Sequence, residues 1–277
     1  MTVARLEGRQ VAAIARKELR ERLRSRWVLA VAAVFTLFAL VIAYFGAAQQ
    51  GAVGFKGIEL TIASLVSLAI YLVPLIALIL GYDAIVGERE RGSLDLLLSL
   101  PITRVELLIG KYLGLAAALA VSTLAGFGLV GVLIVAQGGL VALFHYSGFM
   151  LSAILMGMAF LSLAVLVSVL AASKTAASGA AIALWFVFVL VYDLILLGVL
   201  VLTEGALPGA LVSGLLLLNP ADVFRVLNVF SLEEVKTFYG LATVASDTLT
   251  APWLLGAVMG AWIVAPLALA LIRFRAP

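Results

Sequence analysis

The sequence predicts an all-α integral membrane protein with six transmembrane helices. Of its 277 residues, 65% are hydrophobic and only 12% are charged, against about 45–50% apolar and about 25% charged in a soluble domain. Six stretches supply the roughly 20 apolar residues that a helix needs to cross a bilayer. Nothing alternates like the strands of a membrane barrel, which come as segments of about ten residues. The whole chain, 1–277, reads as a single transmembrane domain.

The elements follow in chain order. Within residues 1–26, Val11, Ile14, Ala15, Leu19 and Leu23 recur at helical spacing, and Arg16, Lys17, Arg20, Glu21 and Arg24 fill the other face. This predicts an amphipathic helix lying on the inner leaflet and turning into the first span at Trp27. The apolar run that follows is too long for a secretory signal. The predicted spans are Trp27–Ala48, Leu60–Leu80, Leu108–Ala136, Met150–Ala172, Ala176–Leu202 and Trp253–Ile272. The third and fifth are long enough to tilt.

Charge sets the expected orientation. With the N-terminus inside, the inner segments hold 15 of the 18 basic residues, and only Lys56, Arg225 and Lys236 fall outside. Such a split is a positive-inside signal. It puts both termini in the cytoplasm; the whole chain is then expected to be a multi-pass protein of a cytoplasmic (inner) membrane. The net charge of +3 therefore points to lipid headgroups rather than nucleic acid.

Two connections are more than joints. The inner one, residues 81–107, packs Glu88, Arg89, Glu90 and Arg91 against a short helix-compatible stretch, Ser93–Leu100. Pro101 stops that stretch. Thr103 and Glu106 form a capping box that starts the third span. Leu94, Leu97 and Leu98 are expected to supply an apolar face, and the charges complementarity to a docking protein. The outer connection, residues 203–252, contains Pro208, Asn219-Pro220 and Pro252 as breakers. Its apolar pieces Leu211–Leu218 and Val223–Phe230 predict short amphipathic helices along the outer surface.

Several chemistries are excluded. The chain has no cysteine and one histidine, so disulfides, thiolate catalysis and Cys-ligated metal sites are ruled out. His145, Met150, Met156 and Met158 could suggest soft copper ligands. Met156 and Met158 stand about 160° apart around a helix, however, and read as packing. Gly110-Lys111 lacks the leading glycine and following Ser/Thr of a phosphate loop, so any ATP and Mg must sit on another subunit. No catalytic site and no cofactor is expected in this chain. Asp83 and Asp193 each follow a tyrosine inside or beside a span. Asp83 is expected near the arginine cluster. Asp193 lies about 25 Å along the fifth span, where a carboxylate must face the bundle interior or water. Gly110/Gly114 and Gly256/Gly260 have the spacing of close helix contacts.

The basic amphipathic N-terminus IARKELRERLRSRWVL, six spans and the connection GERERGSLDLLLSLPITRVELLIGK resemble the ABC-2 type permeases of ATP-binding-cassette transporters. The segments IASLVSLAIYLVPLIALILGYDAIVGE, LWFVFVLVYDLILL and LLLLNPADVFRVLN are similar, more narrowly, to the permease branch encoded with nitrous-oxide reductase. The resemblance implies a homodimer, two copies of a cytoplasmic ATPase, and a periplasmic β-helical partner. It also implies a role in delivering copper (or sulfur) to the maturing reductase. On that reading Glu88, Arg89, Glu90, Arg91, Leu94, Leu97, Leu98 and Arg104 form the ATPase-coupling element, and Val3–Arg24 the elbow helix. Asn219, Pro220, Asp222 and Arg225 would lie near the periplasmic partner. A generic exporter of a lipid or hydrophobic molecule is the competing function. A passive membrane anchor would not need the coupling element. An enzyme using Asp83 and Asp193 fails because the two sit near opposite leaflets.

Overall fold

The computed structural model describes residues 7–24, 26–45, 58–204, 207–229 and 251–275, with no strand among them. The elements expected within 46–57 and 230–250 (Lys56, Glu233, Glu234, Lys236 and Asp247) lie outside the described residues, as does the side chain of His145. Eleven helices occur among the described residues: α1 Gly8–Arg24, α2 Arg26–Phe45, α3 Ile58–Gly81, α4 Val86–Glu90, α5 Ser93–Leu98, α6 Arg104–Leu170, α7 Lys174–Phe186, α8 Tyr192–Leu202, α9 Gly209–Leu217, α10 Pro220–Val229 and α11 Pro252–Arg275. A π-helical turn, Val187–Val191, joins α7 to α8.

Straight, the 67 residues of α6 would reach about 100 Å, three times a bilayer core. The contacts show two antiparallel limbs instead. Tyr146 donates to the Phe127 carbonyl at 2.6 Å, and Ser162 donates to the Tyr112 hydroxyl at 3.1 Å. The limbs Arg104–Ile134 and Tyr146–Leu170 thus supply the third and fourth spans expected from the sequence. Phe35, Phe127, Phe149 and Phe224 stack in turn at 5.1, 5.3 and 6.1 Å between ring centres. That column ties α2, both limbs and α10 into one core.

Five helices are long and apolar enough to cross a membrane, or six if the bent pair α9–α10 counts as one span; α2 contributes the shorter apolar stretch Ala32–Ile42. The bent pair corrects an expectation. Its helices meet at 116°. Ala221, Val223, Phe224 and Val226 of α10 are buried, and Trp262 of α11 donates to the Leu217 carbonyl at 3.2 Å. The apolar face read as an interfacial one is covered by the bundle itself, as in a broken span or a re-entrant loop.

α1 also meets protein where lipid was expected. A Cβ on Gly110 would stand 2.7 Å from Ile14, and one on Gly114 would stand 2.6 Å from Glu18. Only glycine leaves α6 smooth enough for α1 to lie this close. The Gly110/Gly114 pair is a packing seam between these two helices.

Candidate functional site

Polar residues gather in two places. The first is the charged end, where α1, α3, α4, α6, α7 and α11 converge. Thr103 caps α6: its Oγ accepts from the Glu106 backbone N–H, and the Glu106 carboxylate accepts from the Thr103 N–H at 2.7 Å. The other Glu106 oxygen accepts from the Glu7 N–H at 2.7 Å, which pins the start of α1 to the start of α6. One helical turn further on, Lys111 sits between Glu18 of α1 at 3.2 Å and Glu88 of α4 at 2.9 Å. All three side chains are at most 14% exposed. Burying a charge is costly unless it is paired, and here one cation satisfies two carboxylates. Arg22 adds a bond to Glu18 at 3.2 Å. Asp83 lies between Arg22 at 3.5 Å and Lys174 at 3.4 Å.

The connection from α3 to α6 is fixed at its base. Ser168 Oγ accepts from the N–H groups of Ile85 and Val86 at 2.9 and 3.1 Å. Arg89 donates to the carbonyls of Ala171 and Val169, the end of α6. Glu90 accepts from the Lys174 N–H at 2.7 Å. Arg91 pairs with Glu88 at 3.5 Å, and Ser93 donates to the Glu88 carboxylate. Gly92, at φ +69°, makes the break between α4 and α5 in the left-handed region where glycine is at ease.

The orientation of α5 differs from expectation. Leu94 is buried, and Leu97 and Leu98 pack partly against the core. The face turned outward carries Leu96, 72% exposed, and beyond it Leu100, 54% exposed. The three leucines chosen for a docking face are those that hold α5 on the bundle. Leu96 and Leu100 were missed because a helix of six residues has too little periodicity to show which side is inward. Arg104 turns toward the C-terminal helix: it donates to the Phe274 carbonyl at 3.1 Å and lies over that ring.

The second polar site is the bend between α9 and α10. Asn219 accepts from the Ala221 N–H at 3.0 Å, so it caps α10, with Pro220 in the first helical position where its missing N–H costs nothing. Asn219 Nδ2 donates to the Phe188 carbonyl in the π turn at 2.8 Å and to Asp222 at 2.9 Å. Phe188 lies midway along the candidate span Lys174–Leu202, and within a span every backbone group needs a partner. The carbonyls at the end of α9 find theirs in Tyr192, which donates to Leu215 at 2.6 Å, and in Trp262. Arg225 then bridges Asp222 at 2.5 Å and Asp193 at 2.7 Å. Beyond it, Asn228 donates to Ser152 at 2.9 Å.

This placement revises the role expected for Asn219, Pro220, Asp222 and Arg225. The first three are buried, and their polar atoms are engaged in starting α10 and holding it to span five. Arg225 keeps 35% of its side chain exposed. Asp83 and Asp193 belong to separate clusters. Met156 is fully buried, and Met150 and Met158 pack against the core. No group of three or more His, Cys, Asp or Glu suited to a metal occurs among the described residues.

Residues 12–276 match the family model for ABC-2 family transporter proteins. A probable ABC transporter permease protein NosY of Pseudomonas aeruginosa is 46% identical over 266 residues, covering 95% of this chain and 96% of the relative. A protein of the same description from Stutzerimonas stutzeri is 45% identical over 270 residues, covering 96% and 98%. Carrying helices fit to cross a membrane several times and matched along nearly its whole length, the chain belongs to the ABC-2 family of transporter permeases.

Proposed function

We propose that this chain is the membrane permease of an ATP-driven system whose hydrolysis occurs on a separate cytoplasmic ATPase dimer, and that the α4–α5 connection receives the ATPase motion. The observation that carries this reading is the connection's construction. Its base is bonded to α6 and α7 through Glu88, Arg89 and Glu90, and through Lys111 to Glu18 of α1, while Leu96 and Leu100 project from its far side. A part held this firmly transmits displacement to several spans together, and two exposed leucines beside Asp95 and Arg91 suit an apolar groove with a charged rim. Family membership implies an ATPase partner. The reading puts the charged end and both termini in the cytoplasm and takes the working unit as a homodimer.

The name borne by the two relatives supports the finer reading. The permease works with a periplasmic β-helical partner and serves copper (or sulfur) delivery during maturation of nitrous-oxide reductase. The buried packing of the methionines favours mechanical transmission to that partner over metal conduction through the bundle. The contact is then made elsewhere on the outer side than at Asn219, Pro220 and Asp222, which are buried. The test replaces Leu96 and Leu100 with Asp in the full chain. Both side chains are exposed, so the protein still inserts and purifies, but ATPase co-purification falls and the reductase is recovered with less copper. Undiminished ATPase binding removes α5 as the coupling element. Undiminished copper loading with ATPase binding lost favours a passive anchor.

A further inference from the structure

A crevice of about 380 Å³ opens at the charged end, between α5 and the ends of α6 and α11. That volume falls in the range of small-ligand sites. Three arginines line it, Arg89 from α4, Arg104 from the start of α6 and Arg273 from the end of α11, against a single carboxylate, Asp95. Leu98 and Phe274 supply apolar wall.

The arginines are not held alike. Arg89 gives two of its five N–H donors to the carbonyls at the end of α6, and Arg104 is oriented by the Phe274 carbonyl and ring. These contacts fix the guanidinium planes and satisfy helix-end carbonyls. Helix capping accounts for two of the three. Arg273 is exposed and faces the same crevice. Against one carboxylate, the three guanidinium groups give this space a net positive charge. Their planar forks match phosphate oxygens, and the position at the ends of spanning helices is headgroup depth.

We propose that this crevice binds the phosphate of an anionic phospholipid of the facing leaflet, with its glycerol and first acyl carbons against Leu98 and Phe274. Basic pockets between the ends of membrane helices take such headgroups. Lipid here would brace α5 against α6 and α11 from the side opposite the Lys111 cluster. The inference rests on the charged end lying at the membrane surface and is independent of copper delivery.

The test is lipid retention by the purified full chain, read by native mass spectrometry after exchange into mixed micelles carrying phosphatidylglycerol or phosphatidylcholine. Phosphatidylglycerol is expected to be retained preferentially, and R273Q and R104Q each to weaken its retention about five-fold, the worth of one basic side chain near an anionic surface. R275Q, at the neighbouring exposed arginine outside the crevice, serves as the control and keeps wild-type retention. Loss in R275Q equal to that in R273Q would mean a diffuse surface potential and overturns the site. Displacement of the lipid by millimolar inorganic phosphate makes it a free-phosphate site and overturns the lipid assignment. Unchanged retention in R273Q and R104Q, both still monodisperse, does the same. Lipid retention that is lost only when an ATPase is bound supports the site and places it under the docked partner.

Discussion

The two polar clusters solve the same problem by different means. At the charged end, one lysine is enclosed between two glutamates from different helices, and none of the three side chains is more than 14% exposed. At the bend between α9 and α10, one arginine also joins two carboxylates, but Arg225 and Asp193 are 35% and 34% exposed while Asp222 is sealed. The first cluster fastens three elements that meet at one end. The second starts a helix inside the bundle, and its charge pair is partly open. The contrast teaches that equal ion counts do not give equal dependence. The enclosed cluster has no solvent to fall back on when a partner is lost, whereas the open one keeps some access to water.

The largest effect should therefore follow from Lys111→Met. It removes the one cation lying between Glu18 and Glu88, leaving each only its more exposed arginine, Arg22 or Arg91, and breaking a buried pair costs about 3–5 kcal/mol. Thermal unfolding in detergent should show the loss, accompanied by easier proteolysis of α1. Adding Glu18→Gln and Glu88→Gln to the same chain should recover most of it, because neutral groups at these positions no longer demand a charge. A triple variant as weak as Lys111→Met would show that lysine's packing, not its charge, holds the junction.

Arg225→Gln tests the other cluster. The loss leaves Asp222 without its cation, yet Asn219 still donates to that carboxylate and Asp193 is partly exposed. An unsatisfied buried group costs about 1–3 kcal/mol, below the Lys111 figure. Equal losses for the two variants would contradict the ranking by enclosure.

Much of the architecture was legible in the sequence, for identifiable reasons. Long apolar runs announce spans whatever their partners, and Thr103 with Glu106 is a local signal that needs no tertiary knowledge. The burial of the bent pair was not legible, because apolar residues on a surface helix and on a buried short helix give the same pattern. A clue lay in Asn219-Pro220 followed by Asp222, the start signal of a helix written with residues that a surface coil would not need. Glu18 offered another: it falls between Ile14 and Arg22 on the face that α1 turns to α6. A carboxylate on that stripe called for a cation, and Lys111 was its partner. Which leucines of α5 face outward depends on packing against α6 and could not be read from six residues.

The smallest effects come from the two glycine pairs, which have one spacing and, in this structure, opposite surroundings. A Cβ on Gly114 would meet the Glu18 Cβ at 2.6 Å and the Ala15 carbonyl at 2.7 Å, whereas Gly256 and Gly260 have nothing within 4 Å. Gly114→Ala must push α1 from α6, and overpacking of this kind costs about 1–3 kcal/mol. At the open positions alanine removes the backbone freedom of glycine without a clash, so Gly256→Ala and Gly260→Ala should each raise stability by about 0.5–1 kcal/mol. The sign, not the size, is the measurement, read as paired melting curves of the single variants in one detergent. If Gly256→Ala lowers the midpoint while Gly114→Ala behaves as stated, the open face of α11 is closed in solution by a second chain. Repeating the melts across protein concentration then separates a neighbouring copy from a defect within the single bundle, since only the former depends on concentration.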